Sequence, residues 1–314
     1  MDDARVLERK ALNSVLERAD VVCATLAALE GSVLRSRSWD VALLDEATQA
    51  LEPLALIAFV KAPLVILAGD PKQLGPTVLS LDAAKQGLGT SLFERLLKEY
   101  GDEVKVLLQE QYRMHEDIMR FPSTEMYGGA LRAHPSVARR TLAEVLTPGA
   151  AVDAPPLLFL DTAGKGFEEA KAEGTESLWN EGEADLVVAR ANELLAAGLA
   201  PRELAVITPY RAQARALRDR LPDLDVEVDT VDGFQGREKD AVLLSLVRSN
   251  TEQALGFLED LRRMNVAITR PRRHLFVVGD SATLSSHDFY ARFLEEVQRQ
   301  SGYRSAWEWK TSVP

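Results

Sequence analysis

Short apolar runs rich in β-branched residues recur along the whole chain with amphipathic helical stretches between them, and that alternation leaves few folds open. The runs are VVCAT, VALLD, LVILAGD, VKVLL, PLLFLD, LAVITP, VEVDTV, AVLLSLV and HLFVVGD. Helical patterns lie among them at residues 4–19, 91–100, 183–197, 210–220, 257–267 and 288–300. Strand and helix in alternation predict an α/β protein with a mostly parallel sheet, because parallel neighbours need a crossover between them. The 314 residues suffice for about two domains at roughly 100–200 residues each. Residues 148–156 and the Gly, Glu and Lys-rich stretch 163–175 read as surface loops.

Several function classes drop out early. A single cysteine, Cys23, allows no intrachain disulfide, and the opening MDDARVLERK lacks the basic start and apolar core of a secretory signal. A cytoplasmic protein is expected. The longest apolar runs, Leu64–Ala68 and Ala241–Val247, are far shorter than the ~20 residues a membrane helix needs, so no membrane partner is expected. A net charge of −11 argues against coating nucleic acid with the whole surface but leaves room for a local basic groove. Arginines cluster at 132, 139 and 140, at 211, 215, 218 and 220, and at 262, 263, 270, 272 and 273; the middle cluster reads as a solvated helix face.

Chemistry first shows at VALLDEATQ, where an apolar strand ends in two acids. At the carboxyl edge of a parallel sheet, Asp45 can hold Mg²⁺ while Glu46 orients or deprotonates a water. The plain alternative is a helix N-terminus carrying acids that suit its dipole. The next strand, LVILAGD, runs into GDPKQLGP, where Gly and Pro fix a loop and the Gln73 amide can donate to a phosphate and accept from water. An ordinary turn explains the Gly and Pro equally well.

The ordered series DEATQA, GDPKQLGP, LLQEQYRMHEDI, VITPYRAQ, TVDGFQGREKDAVLLSLVRS and RRMNVAITRPRRHLFVVGD resembles motifs II to VI of the Upf-like branch of superfamily 1B helicases, and within it the immunoglobulin mu-binding type. The likeness runs from about Asp20 to Asp280. It implies RecA-like P-loop NTPase folds, ATP and Mg²⁺ as cofactors, and single-stranded DNA or RNA as partner, with 5′ to 3′ movement. By that resemblance residues 1–103 form the carboxyl-terminal portion of a first RecA-like domain, residues 104–300 a nearly complete second one, and 301–314 a tail with Trp307 and Trp309. Arg113 and Arg270 stand where the family has arginine fingers, whose planar forks suit the charge of a transferring phosphoryl group. Tyr112 stands where the family has a ring against the adenine; its alternative is a core ring. Glu238 lies where the family's motif V meets the nucleotide, and Gly236 lets the backbone approach; Glu238 is otherwise a surface acid paired with Lys239. For nucleic acid the resemblance implies Thr25, Thr208, Pro209, Tyr210, Thr230 and Asp232, gripping phosphates without reading bases. Threonines at strand ends are, taken singly, capping or turn residues. The four histidines have no metal-ligand spacing.

The sequence also departs from the family. Its motors carry G-x-x-x-x-G-K-[S/T], a loop that cradles phosphates. The Gly164-Lys165 pair is followed by Gly166, with Phe159 in the place of the first glycine, so no segment of these 314 residues matches. The expectation is that this loop precedes residue 1 or comes from a partner chain, and that the chain alone is inactive on ATP. Pro271 follows Arg270 where the family has a small residue, which predicts an early helix end. The alternative function is a non-catalytic module for binding single strands. Retention of both acids and both fingers favours the enzyme, because a binding module has no need of them.

Overall fold

The computed structural model describes residues 2–221 and 225–309. The chain divides into two compact units, Met1–Pro71 with Gly75–Lys105, and Lys72–Leu74 with Val106–Pro314. Elements are labelled in chain order, with shorter helices and two-residue strands named by residue. No helix among the described residues is long and apolar enough to cross a membrane.

The first unit holds α1 (Asp2–Arg18), β1 (Val41–Leu44), α2 (Glu52–Lys61), β2 (Leu64–Leu67) and α3 (Leu92–Tyr100), and β1 pairs with β2 in parallel. Helix α2 starts with proline at its first turn, where the missing N–H costs nothing, and α3 starts at Ser91, whose hydroxyl and the Glu94 carboxylate form a capping box. VVCAT and VKVLL, both expected as strands, are irregular here. Val21, Val106 and Leu108 are exposed, and among the described residues no neighbouring strand offers them a ladder.

The second unit holds α4 (Glu116–Tyr127), β3 (Leu157–Asp161), α5 (Glu181–Ala196), β4 (Leu204–Thr208), α6 (Arg211–Arg220), β5 (Glu227–Thr230), β6 (Lys239–Ser245), α7 (Leu261–Ile268), β7 (Pro271–Gly279), α8 (Asp288–Arg299) and β8 (Tyr303–Ser305). Its sheet is parallel throughout, in the order β8-β3-β7-β6-β4-β5. The apolar runs are continuous because both faces are covered. Leu157, Phe159, Ile207, Val242, Leu244, Leu275 and Val277 pack with Ile118, Met264 and Phe293, from α4, α7 and α8. Their neighbours in sequence, Leu158, Leu160, Val206, Leu243, Phe276 and Val278, pack on the other face with Ala184, Leu194 and Leu217, from α5 and α6.

One expectation needs correction here. The stretch read as a tail is part of the sheet: β8 lies beside β3, Tyr303 stacks on Phe159, and Trp309 packs against Phe276 and Arg190. Three residues are too few to show a strand period, and Gly302 permits the approach, since a Cβ there would lie 2.1 Å from the Leu157 carbonyl oxygen. Residues 310–314 lie outside the described residues. Pro271 does follow a helix that ends at Ile268, but it opens β7, a position where a strand tolerates proline.

Candidate functional site

The residues singled out in the second unit fall on opposite edges of its sheet. At the amino edge, where β6 and β7 begin, Glu238 precedes β6 and Arg270 precedes β7. Arg113 joins them from the turn before α4, its Nε donating to Glu238 Oε2 and its Nη1 to the Thr269 carbonyl at 3.1 Å. Arg272 takes the other carboxylate oxygen, with Nε 3.0 Å from Glu238 Oε1, and also pairs with Glu203. Burial pushes the Glu238 carboxyl up, yet the two guanidiniums outweigh it and hold it below the usual carboxylate range. Lys239 instead pairs with Glu227, so the alternative of a Glu238–Lys239 surface pair is not what forms.

Arg270 is buried, at 2% exposure, with its fork distributed over several acceptors. Its Nε donates to the Val266 carbonyl at 3.0 Å, and its Nη2 to Thr269 Oγ1 at 3.0 Å and to Gln73 Oε1 at 3.2 Å. Gln73 belongs to the tripeptide grouped with this unit, whose Leu74 sits in the core beside α4 and α7. Tyr112 is 60% exposed rather than a core ring, its hydroxyl donates to Glu110, and one face stacks on His134 at 4.4 Å between centroids. Gly236 has a φ of +78°, with open space where a Cβ would stand. Its freedom is therefore conformational.

At the carboxyl edge lie Thr208 at the end of β4 with Pro209 and Tyr210 after it, Thr230 at the end of β5 with Asp232 beyond it, and Val247 and Arg248 after β6. Thr208 and Tyr210 are buried; the Tyr210 hydroxyl accepts from Arg248, and its ring packs edge-on against Phe257. Burial raises the Tyr210 hydroxyl above its ordinary range. Pro209 and Thr230 are half-buried, Asp232 is exposed and pairs with Arg263, and the Thr230 hydroxyl accepts from Gly233 N. The loop therefore exposes part of Pro209, with Thr208 and Tyr210 buried on either side of it.

In the first unit the two acids end β1. Asp45 Oδ1 accepts from the Glu46 amide at 2.9 Å, and Glu46 Oε2 accepts from Gln49 Nε2 at 2.9 Å. Glu46 has φ 51°, a left-handed conformation that costs a side-chain-bearing residue and that clusters at functional sites. Gly69, at the end of β2, has no room for a side chain: a Cβ would lie 3.0 Å from Thr48 N. That close approach sets the DEATQ turn against Gly69. Among the described residues no three His, Cys, Asp or Glu side chains could hold a metal by themselves. A lone carboxylate fits Mg²⁺, which keeps water and substrate phosphate as most of its ligands. Thr25 caps the short helix Leu26–Leu29, its side chain accepting from Ala28 N at 3.3 Å.

Sequence reading missed Asn180, Glu183 and Gln213. All are fully buried beneath the carboxyl edge, yet Glu183 and Gln213 sit at polar positions of helical patterns that read as exposed. It also missed Arg272 as the second partner of Glu238. An ion pair between positions 34 residues apart leaves no local pattern to find.

Two family models, each described as an AAA domain, match the chain over residues 1–81 and residues 88–282. Over 315 residues the chain is 44% identical to DNA-binding protein SMUBP-2 of Rattus norvegicus, covering 98% of this chain and 32% of that protein. It is 40% identical over 307 residues to DNA polymerase alpha-associated DNA helicase A of Schizosaccharomyces pombe, covering 94% and 46%. With the Regulator of nonsense transcripts 1 homolog of Neurospora crassa it shares 39% identity over 298 residues, covering 92% and 27%. The chain spans less than half the length of each of these curated relatives.

Proposed function

Because this chain belongs to the Upf-like superfamily 1B helicases, we propose that it serves an ATP-dependent motor on single-stranded nucleic acid, moving 5′ to 3′. The observation that carries the reading is the separation of groups in the second unit. Arginines and an acid that suit phosphate and ribose crowd the amino edge of the sheet, and the loops named for nucleic acid line the carboxyl edge. A motor needs both surfaces on one rigid body, so that a change at one is carried by the sheet to the other. A module that only binds strands has no use for the first.

Glu46 orients the attacking water, Asp45 would hold Mg²⁺, and Gln73 senses the γ-phosphate. Arg113 and Arg270 offset the charge that develops on the transferred phosphoryl group. Mg²⁺ bound with the nucleotide neutralises its phosphate oxygens. Tyr112 offers its exposed face to the base, and Glu238 meets the ribose or phosphate side. Pro209, Thr230, Asp232 and Thr25 lie along the strand path, with Thr208 and Tyr210 supporting it. The phosphate-cradling loop comes from outside these 314 residues, so the chain alone binds a strand without turning over ATP.

Fluorescence anisotropy of labelled single-stranded DNA and RNA of several sequences checks the strand half of this reading. Binding that falls with salt and varies little with base sequence is expected, as for a grip on phosphates. No binding at low salt would sink it.

A further inference from the structure

Beneath the carboxyl edge of the second unit, four fully buried polar residues form one closed network: Asn180 and Glu183 at the start of α5, Gln213 in the first turns of α6, and Ser245 at the end of β6. Gln213 Nε2 donates to Ser245 Oγ at 3.0 Å, and Ser245 Oγ donates to Glu183 Oε2 at 2.7 Å. Gln213 and the Asn180 backbone exchange two hydrogen bonds, at 2.9 and 3.1 Å. The network closes on Val247: its N–H donates to Glu183 Oε2 at 2.8 Å, and its carbonyl accepts from Asn180 Nδ2 at 3.1 Å.

Val247 has a φ of +72°, a conformation that a β-branched residue adopts only when its surroundings impose it. The turn it makes sends the chain from β6 into Arg248, whose guanidinium reaches the Tyr210 hydroxyl and the Ala254 carbonyl and pairs with Glu169 at 3.2 Å. Ser249 and Asn250 follow, their amides donating to Glu169 and Thr283. Through Gln213 the same network fixes the first turn of α6, and with it the segment 208–210. Two loops of the edge assigned to the strand thus hang on one buried group.

We propose that Glu183 is a positioning residue for nucleic acid: it clamps Val247 in its strained turn and so sets the loops after β4 and β6 in the form that takes a single strand. The inference rests on the reading of that edge as the strand surface. It requires no contact between Glu183 and the strand. Burial pushes the carboxyl up to about 8, which leaves it neutral near pH 7 and makes glutamine its conservative stand-in.

If the clamp exists to hold a strained valine, glycine at 247 makes it dispensable, since glycine takes a positive φ unaided. The test is a cycle of Glu183→Ala, Val247→Gly and the double variant in the 314-residue chain, with Glu183→Gln as control and a labelled single-stranded oligonucleotide as probe. Glu183→Ala is expected to weaken binding on the order of tenfold, the effect of leaving the buried Val247 amide without its acceptor. Glu183→Gln keeps an acceptor for the Val247 amide and stays near wild type. The double variant regains most of the lost affinity, a coupling that general damage to the core would not give. Affinity in the double variant as poor as in Glu183→Ala, or full affinity in Glu183→Ala, overturns the proposal. Should Glu183→Ala fail to fold, folding and binding by the double variant support it, and failure of both overturns it. Hydrogen exchange at the Ser249 and Asn250 amides reads the clamp without ligand: faster exchange in Glu183→Ala, restored in the double variant, is expected, and unchanged exchange overturns it. Should the wild-type chain bind no strand, the functional reading falls, and the exchange result still decides whether the clamp exists.

Discussion

Glu238 has each carboxylate oxygen held by a different guanidinium, and Arg270 spreads one fork over the Val266 and Arg237 carbonyls, Thr269 Oγ1 and Gln73 Oε1. A lysine can satisfy neither pattern, because its ammonium is a single point rather than a planar fork. In a protein of this family able to turn over ATP, Arg270→Lys is therefore expected to lower kcat on the order of 10³-fold, the low end for loss of an arginine finger, with strand affinity unchanged. Steady-state hydrolysis and anisotropy on the same preparation check it; equal losses in both would mean that Arg270 holds the fold rather than serving the phosphate. Glu183 and His274 make the stability of the second unit depend on pH in opposite directions. Glu183 keeps its proton up to about 8 when folded, against 4.5 as a free side chain, so its contribution is full below about 4.5 and is lost as pH rises through 8. His274, pushed down to about 3 by burial and by Arg190, must stay neutral in the fold; its contribution is full above 6.5 and is lost as pH falls toward 3. Urea midpoints of Glu183→Gln should accordingly rise relative to wild type between pH 5 and pH 8. A difference that stays constant over that range would mean the carboxyl is ionised in the folded protein.

Elements were legible in proportion to how completely the fold buries them. The runs PLLFLD, LAVITP, AVLLSLV and HLFVVGD are strands covered on both faces, and continuous apolar sequence is what such burial requires. VVCAT and VKVLL have equal β character, yet β structure needs a neighbour to pair with, and neither has one among the described residues. Helix α4 escaped notice because Pro122 interrupts its pattern, though tertiary packing of Ile118 and Phe121 holds it as a helix. β8 escaped because its signal lies in Gly302, which has no side chain to read. A methyl group there would collide with the Leu157 carbonyl, so Gly302→Ala should cost about 3 kcal/mol, the upper range for overpacking. Chemical denaturation measures it; a cost near zero would mean that β8 can leave β3 without consequence. Of the candidate site, the ordered motifs named residues that the second unit gathers at the two edges of its sheet, without saying which edge each would take. They could not show that Thr208 and Tyr210 are buried, since exposure at a strand end is settled by distant residues such as Arg248 and Phe257.

At the scale of the molecule, the second unit is a closed, two-sided α/β body. The first leaves Val41, Leu43, Leu64 and Ile66 of its two strands exposed. These side chains share one face of the pair, which needs a packed layer to cover it, and a two-stranded sheet is marginal alone. This agrees with the proposal that the phosphate-cradling loop, with the strand leading into it, comes from outside these 314 residues. The central proposal is that this chain supplies the acids, sensor and fingers of a strand-stimulated ATPase and not its phosphate cradle. ATP hydrolysis tests it most directly, measured on the 314-residue chain alone and on the chain extended at its amino end by a segment carrying G-x-x-x-x-G-K-[S/T], with and without single strands, beside Glu46→Gln in each. No turnover by the chain alone, and turnover by the extended chain that single strands stimulate and Glu46→Gln abolishes, is the predicted result. Turnover by the chain alone, or turnover in the extended chain that survives Glu46→Gln, would contradict it.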